Sequence, residues 1–113
     1  MADAIEAVNV LTFALDAIQQ RQQVIANNIA NENTPGYQAK VVNFETSLAN
    51  AVAGGGTATA TVTPEGLPSG TDGNNVSLPA ELALESQTNL ENQSVADSLN
   101  AQFTMLSTAV SGS

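Results

Sequence analysis

The sequence predicts a mainly α fold: two long terminal helices pair as an antiparallel, coiled-coil-like hairpin, joined by a loop-rich middle with room for one short strand. Three observations lead there. Apolar residues recur at spacings of three and four towards both ends of the 113-residue chain. Residues 53–75 hold six of the eight glycines and two of the four prolines, so the breakers sit in the middle. The aromatic residues, Phe13, Tyr37, Phe44 and Phe103, are few and scattered, which suits close helix contact better than a thick core. The expected division is a helix over 1–33, a turn and connector over 34–52, a flexible Gly/Thr-rich loop over 53–76 and a second helix over 77–113.

The first helix is written in a run without proline or glycine from Asp3 to Asn31. Val8, Leu11, Leu15, Ile18, Ile25 and Ile29 form a heptad-like seam, with Gln22 in its one polar place. Asp3 and Glu6 lie where the helix dipole favours negative charge. A rod of this length spans roughly 40 Å and cannot bury its seam against itself. Pro35 blocks continuation and pushes Thr34 into an extended conformation. Thr34-Pro35-Gly36-Tyr37 has the residue order of a type II turn.

Beyond the turn, Gln38 to Phe44 reads as extended and Phe44 to Ala53 as two or three helical turns. Thr57 to Thr63 alternates threonine with Ala58, Ala60 and Val62, a strand pattern, while its flanks argue for a mostly irregular segment. Asn75 or Ser77 opens the second helix, with Pro79 tolerated in its first turn. Its expected seam is Leu78, Leu82, Glu85, Asn89, Asn92, Ala96, Leu99, Phe103, Leu106 and Val110, apolar at both ends and polar in the middle. Ser111-Gly112-Ser113 ends it.

Composition limits the chemistry. With neither cysteine nor histidine there is no thiolate, disulfide or imidazole to build a site from. Lys40 is the single lysine, and no spaced ligand set closed by a glutamate resembles an EF-hand. Glu81 and Glu85, one turn apart, could be imagined as a catalytic pair, but the simpler reading is a solvated acidic face at a helix N-terminus. No enzyme activity, cofactor, metal or small-molecule substrate is expected. Two basic residues against eleven acidic ones give a formal charge of −9, which repels nucleic acid and anionic membranes and points to basic partners. The N-terminus lacks the basic region of a secretory signal, so no cleaved signal peptide is expected.

The second helix carries Glu81, Glu85, Glu91 and Asp97 but no base, and the first offers only Arg21. Their pairing must then rest on apolar side chains and neutral amides, and assembly with further copies or other chains is expected. The stretch ANNIANENTPGY, residues 26–37, concentrates such amides. Asn31 and Asn33 suit a helix C-terminus. Asn27 and Asn28 point to different sides of the helix and are expected to make uncharged, directional contacts between subunits.

That stretch resembles the signature of the axial proteins of the bacterial flagellum. The residues that carry it are Asn28, Ile29, Ala30, Asn31, Asn33, Thr34, Pro35, Gly36 and Tyr37. The following AKVVNFETSL, with Lys40, Phe44, Glu45 and Leu48, is similar to a segment of the flagellar basal-body rod protein family, and GNNVSLPAEL at 73–82 resembles the linker into its C-terminal helix. Only residues 53–72 lack a counterpart.

The resemblance implies a structural subunit of the proximal rod, in the periplasmic part of the basal body, that helps transmit motor torque. It implies export through the flagellar type III apparatus without a cleaved signal, and terminal helices that pair inside a helical tube. The implied partners are other rod subunits, copies of the chain itself, the protein joining the rod to the membrane ring, and the export gate. Glu32 departs from the small residue common at its place, and Asn89, Asn92 and Ser94 stand where arginine and tyrosine are frequent. Two other readings remain: the other short proximal rod subunit, and a small acidic helical-hairpin adaptor or secretion chaperone.

Overall fold

The computed structural model describes residues 2–54 and 57–112. Met1, residues 55–56 and Ser113, expected in the first helix, the loop and the last turn, lie outside the described residues, as does the side chain of Asp3. The elements are α1 (Ala2–Ala30), β1 (Lys40–Asn43), α2 (Glu45–Val52), β2 (Thr61–Pro64) and α3 (Leu78–Ser111). The molecule is a rod of 66 × 25 × 14 Å. The helices α1 and α3 run antiparallel along it, as Gln22 bonded to Asn89 and Asn28 bonded to Glu81 show. Among the described residues, no helix is long and apolar enough to cross a membrane.

Helix α1 stops at Ala30, short of the expected residue 33. The Asn31 amide is shared between the carbonyls of Asn27 and Asn28, and the Asn31 side chain caps the Asn27 carbonyl at 2.8 Å. Two amides of one residue thus close the helix before the proline is reached. The Tyr37 N–H then donates to the Thr34 carbonyl at 3.2 Å, and Gly36 has φ of 77°, the type II turn expected. At the other end of the connector, the Ser77 hydroxyl caps α3 by accepting from the Ala80 N–H, with Pro79 in the first turn.

The middle is more ordered than its composition suggests. Strand β2 pairs antiparallel with β1, setting Val42 opposite Val62 and Asn43 opposite Thr61. It begins at Thr61, within the alternating run but four residues later than that run starts, and ends at Pro64, which has no N–H of its own to donate.

The core is small and lies beside the middle of α1. Ala17, Ile18, Val42 and Phe44 are its buried members, with Phe13, Val24, Leu48, Ala60 and Val95 packed against it. The expectation of scattered aromatics fails for one pair: β1 carries Phe44 to Phe13, edge to face at 6.3 Å. Fold class and pairing follow the expectation, with a two-stranded sheet added.

The seams need two corrections. On α1 the row deepens as expected at Ile18 and Ile25, Val8, Leu11, Leu15 and Ile29 are half-buried, and Arg21 and Asn28 join the buried set. On α3 the buried side chains are Glu81 and Thr88, one position ahead of the expected Leu82 and Asn89. Leu82 and Phe103 are each 51% exposed and Val110 is 67% exposed, whereas Leu99 and Leu106 are half-buried. The physical reason is a partner: Asn28 offers Glu81 a hydrogen bond that Leu82 could not use. The solvated acidic face expected for Glu81 and Glu85 therefore holds only for Glu85.

Candidate assembly corner

The polar side chains converge where α1 ends and α3 begins. Asn28 lies at the centre and is 1% exposed. Its Nδ2 donates to the Lys40 carbonyl at 2.8 Å and to Glu81 Oε1 at 3.1 Å. Its Oδ1 accepts from the Lys40 N–H at 3.1 Å and from the Tyr37 hydroxyl at 3.3 Å. All four hydrogen-bonding positions of the amide are used. By answering both the N–H and the C=O of Lys40, the side chain acts as a one-residue strand and sets where β1 leaves the helix. Asn28 therefore has no capacity left for another subunit, contrary to the expectation for it. Ala39, on the same approach to β1, is fully buried, and its N–H donates to Asn75 Oδ1 at 2.6 Å.

The facing side of the corner comes from GNNVSLPAEL. Asn74 Nδ2 donates to the carbonyls of Asn31 and Thr34, both at 2.8 Å. Each of those carbonyls also accepts one backbone N–H, from Thr34 and Tyr37 respectively, so Asn74 fills their second acceptor positions. Asn75 Nδ2 reaches the Leu67 carbonyl at 3.0 Å, and its N–H the Tyr37 carbonyl at 3.2 Å. The Gly36 N–H donates to the Asp72 carbonyl at 2.9 Å, and Gln38 Nε2 donates to the Gly73 carbonyl. The asparagine pair at 74–75 was not singled out in the sequence. Its signal is two consecutive amides after a glycine in a non-helical stretch, a pattern suited to holding loose backbone.

Gly73 packs against the Gly36 backbone, so the crowding bears on Gly73; Gly36 has open space for a β-carbon and is held to glycine by its φ of 77°. Gly73 has φ of 82°, and a β-carbon there would stand 3.3 Å from the Gly36 α-carbon. Gly73→Ala should destabilise the corner by about 1–2 kcal/mol through the left-handed conformation alone. The crowding adds to that. Faster amide exchange at Gly36 than in the unaltered chain would show it.

Of the other motif residues, Asn27, Asn33, Thr34, Pro35 and Gly36 are exposed, and Ile29, Asn31 and Tyr37 are half-buried. The Thr34 hydroxyl donates to Asn31 Oδ1 at 3.1 Å. Asn27 and Asn33 present their side chains outward, and neither makes a side-chain hydrogen bond among the described residues. Phe44 lies in the core rather than at the corner.

A second polar centre sits about two turns earlier on α1. Arg21 is buried, with Nη2 donating at 2.7 Å both to the Val42 carbonyl and to Glu45 Oε1. Nη1 lies 3.7 Å from Glu91, and the guanidinium stands 4.6 Å over the Phe44 ring. The hydrogen bond from Arg21 holds the Glu45 carboxyl below the ordinary range, against the opposing effect of burial. One cation thus joins α1, β1, α2 and α3. Gln22 Nε2 donates to Asn89 Oδ1 at 2.9 Å, the uncharged cross-helix contact expected of so acidic a pair.

The family described as "Flagella basal body rod protein" matches residues 8–38, which are most of α1, the closing asparagines and the Pro-Gly turn. The flagellar basal body rod protein FlgB of Escherichia coli K12 is 42% identical over 65 residues. Over these stretches the chain is similar to flagellar basal-body rod proteins. The Escherichia coli match takes in 55% of this chain and 46% of that relative, so the rod protein compared is spanned over less than half its length. FlgB of Aeromonas hydrophila is 28% identical over 124 residues, taking in 95% of this chain and 94% of its own. FlgB of Salmonella typhimurium is 43% identical over 51 residues. The family match and the polar corner coincide: Asn28, Asn31, Thr34, Gly36 and Tyr37 all fall inside the matched residues.

Proposed function

We propose that this chain is a structural subunit of the flagellar basal-body rod, of the proximal, FlgB-like kind, and not an enzyme. The observation that carries this reading is that the residues matched by the family are those that fasten the connector to the paired helices. The corner holds the chain's own cohesion. The far half of α3 does not: from Ser98 onward it has no charge, and Phe103, Met105 and Val110 are largely exposed. Such a helix end completes its packing against neighbouring subunits.

On this reading the partners are other rod subunits, copies of the same chain and the protein joining the rod to the membrane ring. The chain reaches the periplasmic rod through the flagellar type III export gate without signal cleavage, and passes motor torque along the rod. Asn27 and Asn33, outward at the corner, supply uncharged contacts to those neighbours.

The test is a deletion strain complemented in trans. Without the gene, basal bodies should lack a complete rod by electron microscopy, and the unaltered chain should restore it. Leu99→Asp should fail to restore motility, because a charge enters the seam at a cost of about 2–5 kcal/mol. Complete rods in the deletion strain would overturn the reading. Recovery of the chain with one soluble partner, and its absence from basal bodies, would turn it towards an adaptor.

A further inference from the structure

The corner contains two carboxyl groups that its hydrogen bonds do not satisfy. Glu81, at the first turn of α3, is 2% exposed; Oε1 accepts from Asn28, while Oε2 is shut from solvent with no donor. Glu65, just past β2, also has a buried Oε2 without a donor. The backbone explains their meeting. The Glu65 N–H donates to the Ala39 carbonyl at 2.9 Å, and the next residue, Lys40, is bonded on both sides by Asn28, which holds Glu81. The two carboxyls stand within hydrogen-bonding reach of each other.

We propose that Glu65 and Glu81 share one proton, and that this carboxyl–carboxylate clasp fastens the connector to the helix ends and releases it when the proton is lost. Two carboxylates cannot donate to each other; one O–H between them satisfies both orphaned oxygens at once. Loss of the proton breaks that O–H bond, sends the proton to solvent and leaves two buried negative charges in contact. A bound cation is the rival. Calcium takes six to eight oxygens, and the neighbouring ones are already engaged: Lys40 O by Asn28, Ala39 O by Glu65 N–H, and Asn28 Oδ1 by Lys40 and Tyr37.

The surroundings favour the proton. From α1 the facing group is the neutral Asn28 amide; from the approach to β1 they are the Tyr37 hydroxyl and the backbone of Lys40, whose side chain is exposed; on α3, Glu85 lies one turn on and is exposed. No ion pair reaches Glu65 or Glu81 among the described residues. Burial first, and then the charge of Glu65, raise Glu81 above the ordinary carboxylate range, against the Asn28 hydrogen bond. A carboxyl raised in the folded state contributes its full stability below its unfolded pKa. It loses that contribution as pH rises through the raised folded value. The clasp is therefore closed in acid and open above that interval, whether or not the chain serves in a rod.

The test is a pH titration of the full chain with 13C-labelled glutamate carboxyls, followed by NMR, together with amide exchange at Glu65 and Asn75. One carboxyl should titrate above the ordinary range, return towards it in Glu65→Gln and vanish in Glu81→Gln, while Glu85→Gln leaves it in place. Exchange at Glu65 and Asn75, corrected for intrinsic pH dependence, should quicken across that interval. It should stay slow in Glu81→Gln, whose amide can accept from Asn28 and donate to Glu65. Titration of every glutamate in the ordinary range would overturn the proposal, as would a raised carboxyl that ignores Glu65→Gln. Calcium or magnesium ions that shift both signals at neutral pH would overturn it in favour of a cation site.

Discussion

Asn28→Ala is expected to destabilise the corner by about 3 kcal/mol, summed from the buried groups left without partners. The substitution strips the Lys40 N–H and C=O of their bonds, deprives Tyr37 of its acceptor and leaves Glu81 Oε1 without its donor. Water cannot easily replace an amide that is 1% exposed. Asn28→Asp is a sharper variant, since it keeps the acceptor but turns the donor facing Glu81 into a like charge. Both should give early unfolding in urea and lose exchange protection at Lys40 and Asn75. Asn27→Ala, on the outward side, should leave both readouts unchanged. A loss at Asn28 below about 1 kcal/mol, the size of one ordinary hydrogen bond, would show that the amide is not central.

Arg21→Ala has the second large effect, about 2–4 kcal/mol, from lost packing together with a buried carbonyl left unsatisfied. Much of it comes from the Val42 carbonyl and the Phe44 ring, because the Glu45 side chain is 57% exposed and can be rehydrated. Arg21→Lys should recover only part, since an ammonium has one nitrogen where the guanidinium uses Nη2 for Val42 and Glu45 and Nη1 towards Glu91. The pair also sets an acid limit. Glu45 is lowered in the folded state, so its contribution is present above its unfolded pKa and fades as pH falls through the folded value. Urea midpoints measured across acid pH should fall in the unaltered chain and flatten in Arg21→Ala.

These two residues show what the sequence could say. Ile18 and Ile25 set the phase of the first helix, and Arg21 and Asn28 each lie three residues beyond one of them, on the face turned inward. That phase separates Asn28 from its neighbour Asn27, so the inward amide was legible from spacing. Its partner was not. Choosing Leu82 over Glu81 for the second helix follows apolar preference, and only the third dimension brings Asn28 to overrule it. Likewise the Thr57–Thr63 alternation signals a strand, but no local pattern sets Val62 opposite Val42 across the intervening helix. The Pro35-Gly36 turn was fully legible because its conformation is set by its own residues. Asn74 was passed over and Asn75 was read only as a possible start of the second helix, because their targets are main-chain carbonyls and amides, which leave no mark in composition.

The bonds that close the corner have a kinetic consequence. Asn28 reaches Lys40 across 12 residues and Glu81 across 53, Asn74 reaches Asn31 across 43, and Gln22 reaches Asn89 across 67. Helical turns form in about a microsecond, but contacts this distant wait for long loops to close, and folding slows as their share grows. Until residues near Asn74 and Glu81 arrive, the side-chain hydrogen bonds that fasten the end of the first helix cannot form. A nascent copy of the chain therefore stays open and pliable for most of its synthesis, and becomes rigid only when its last third is present.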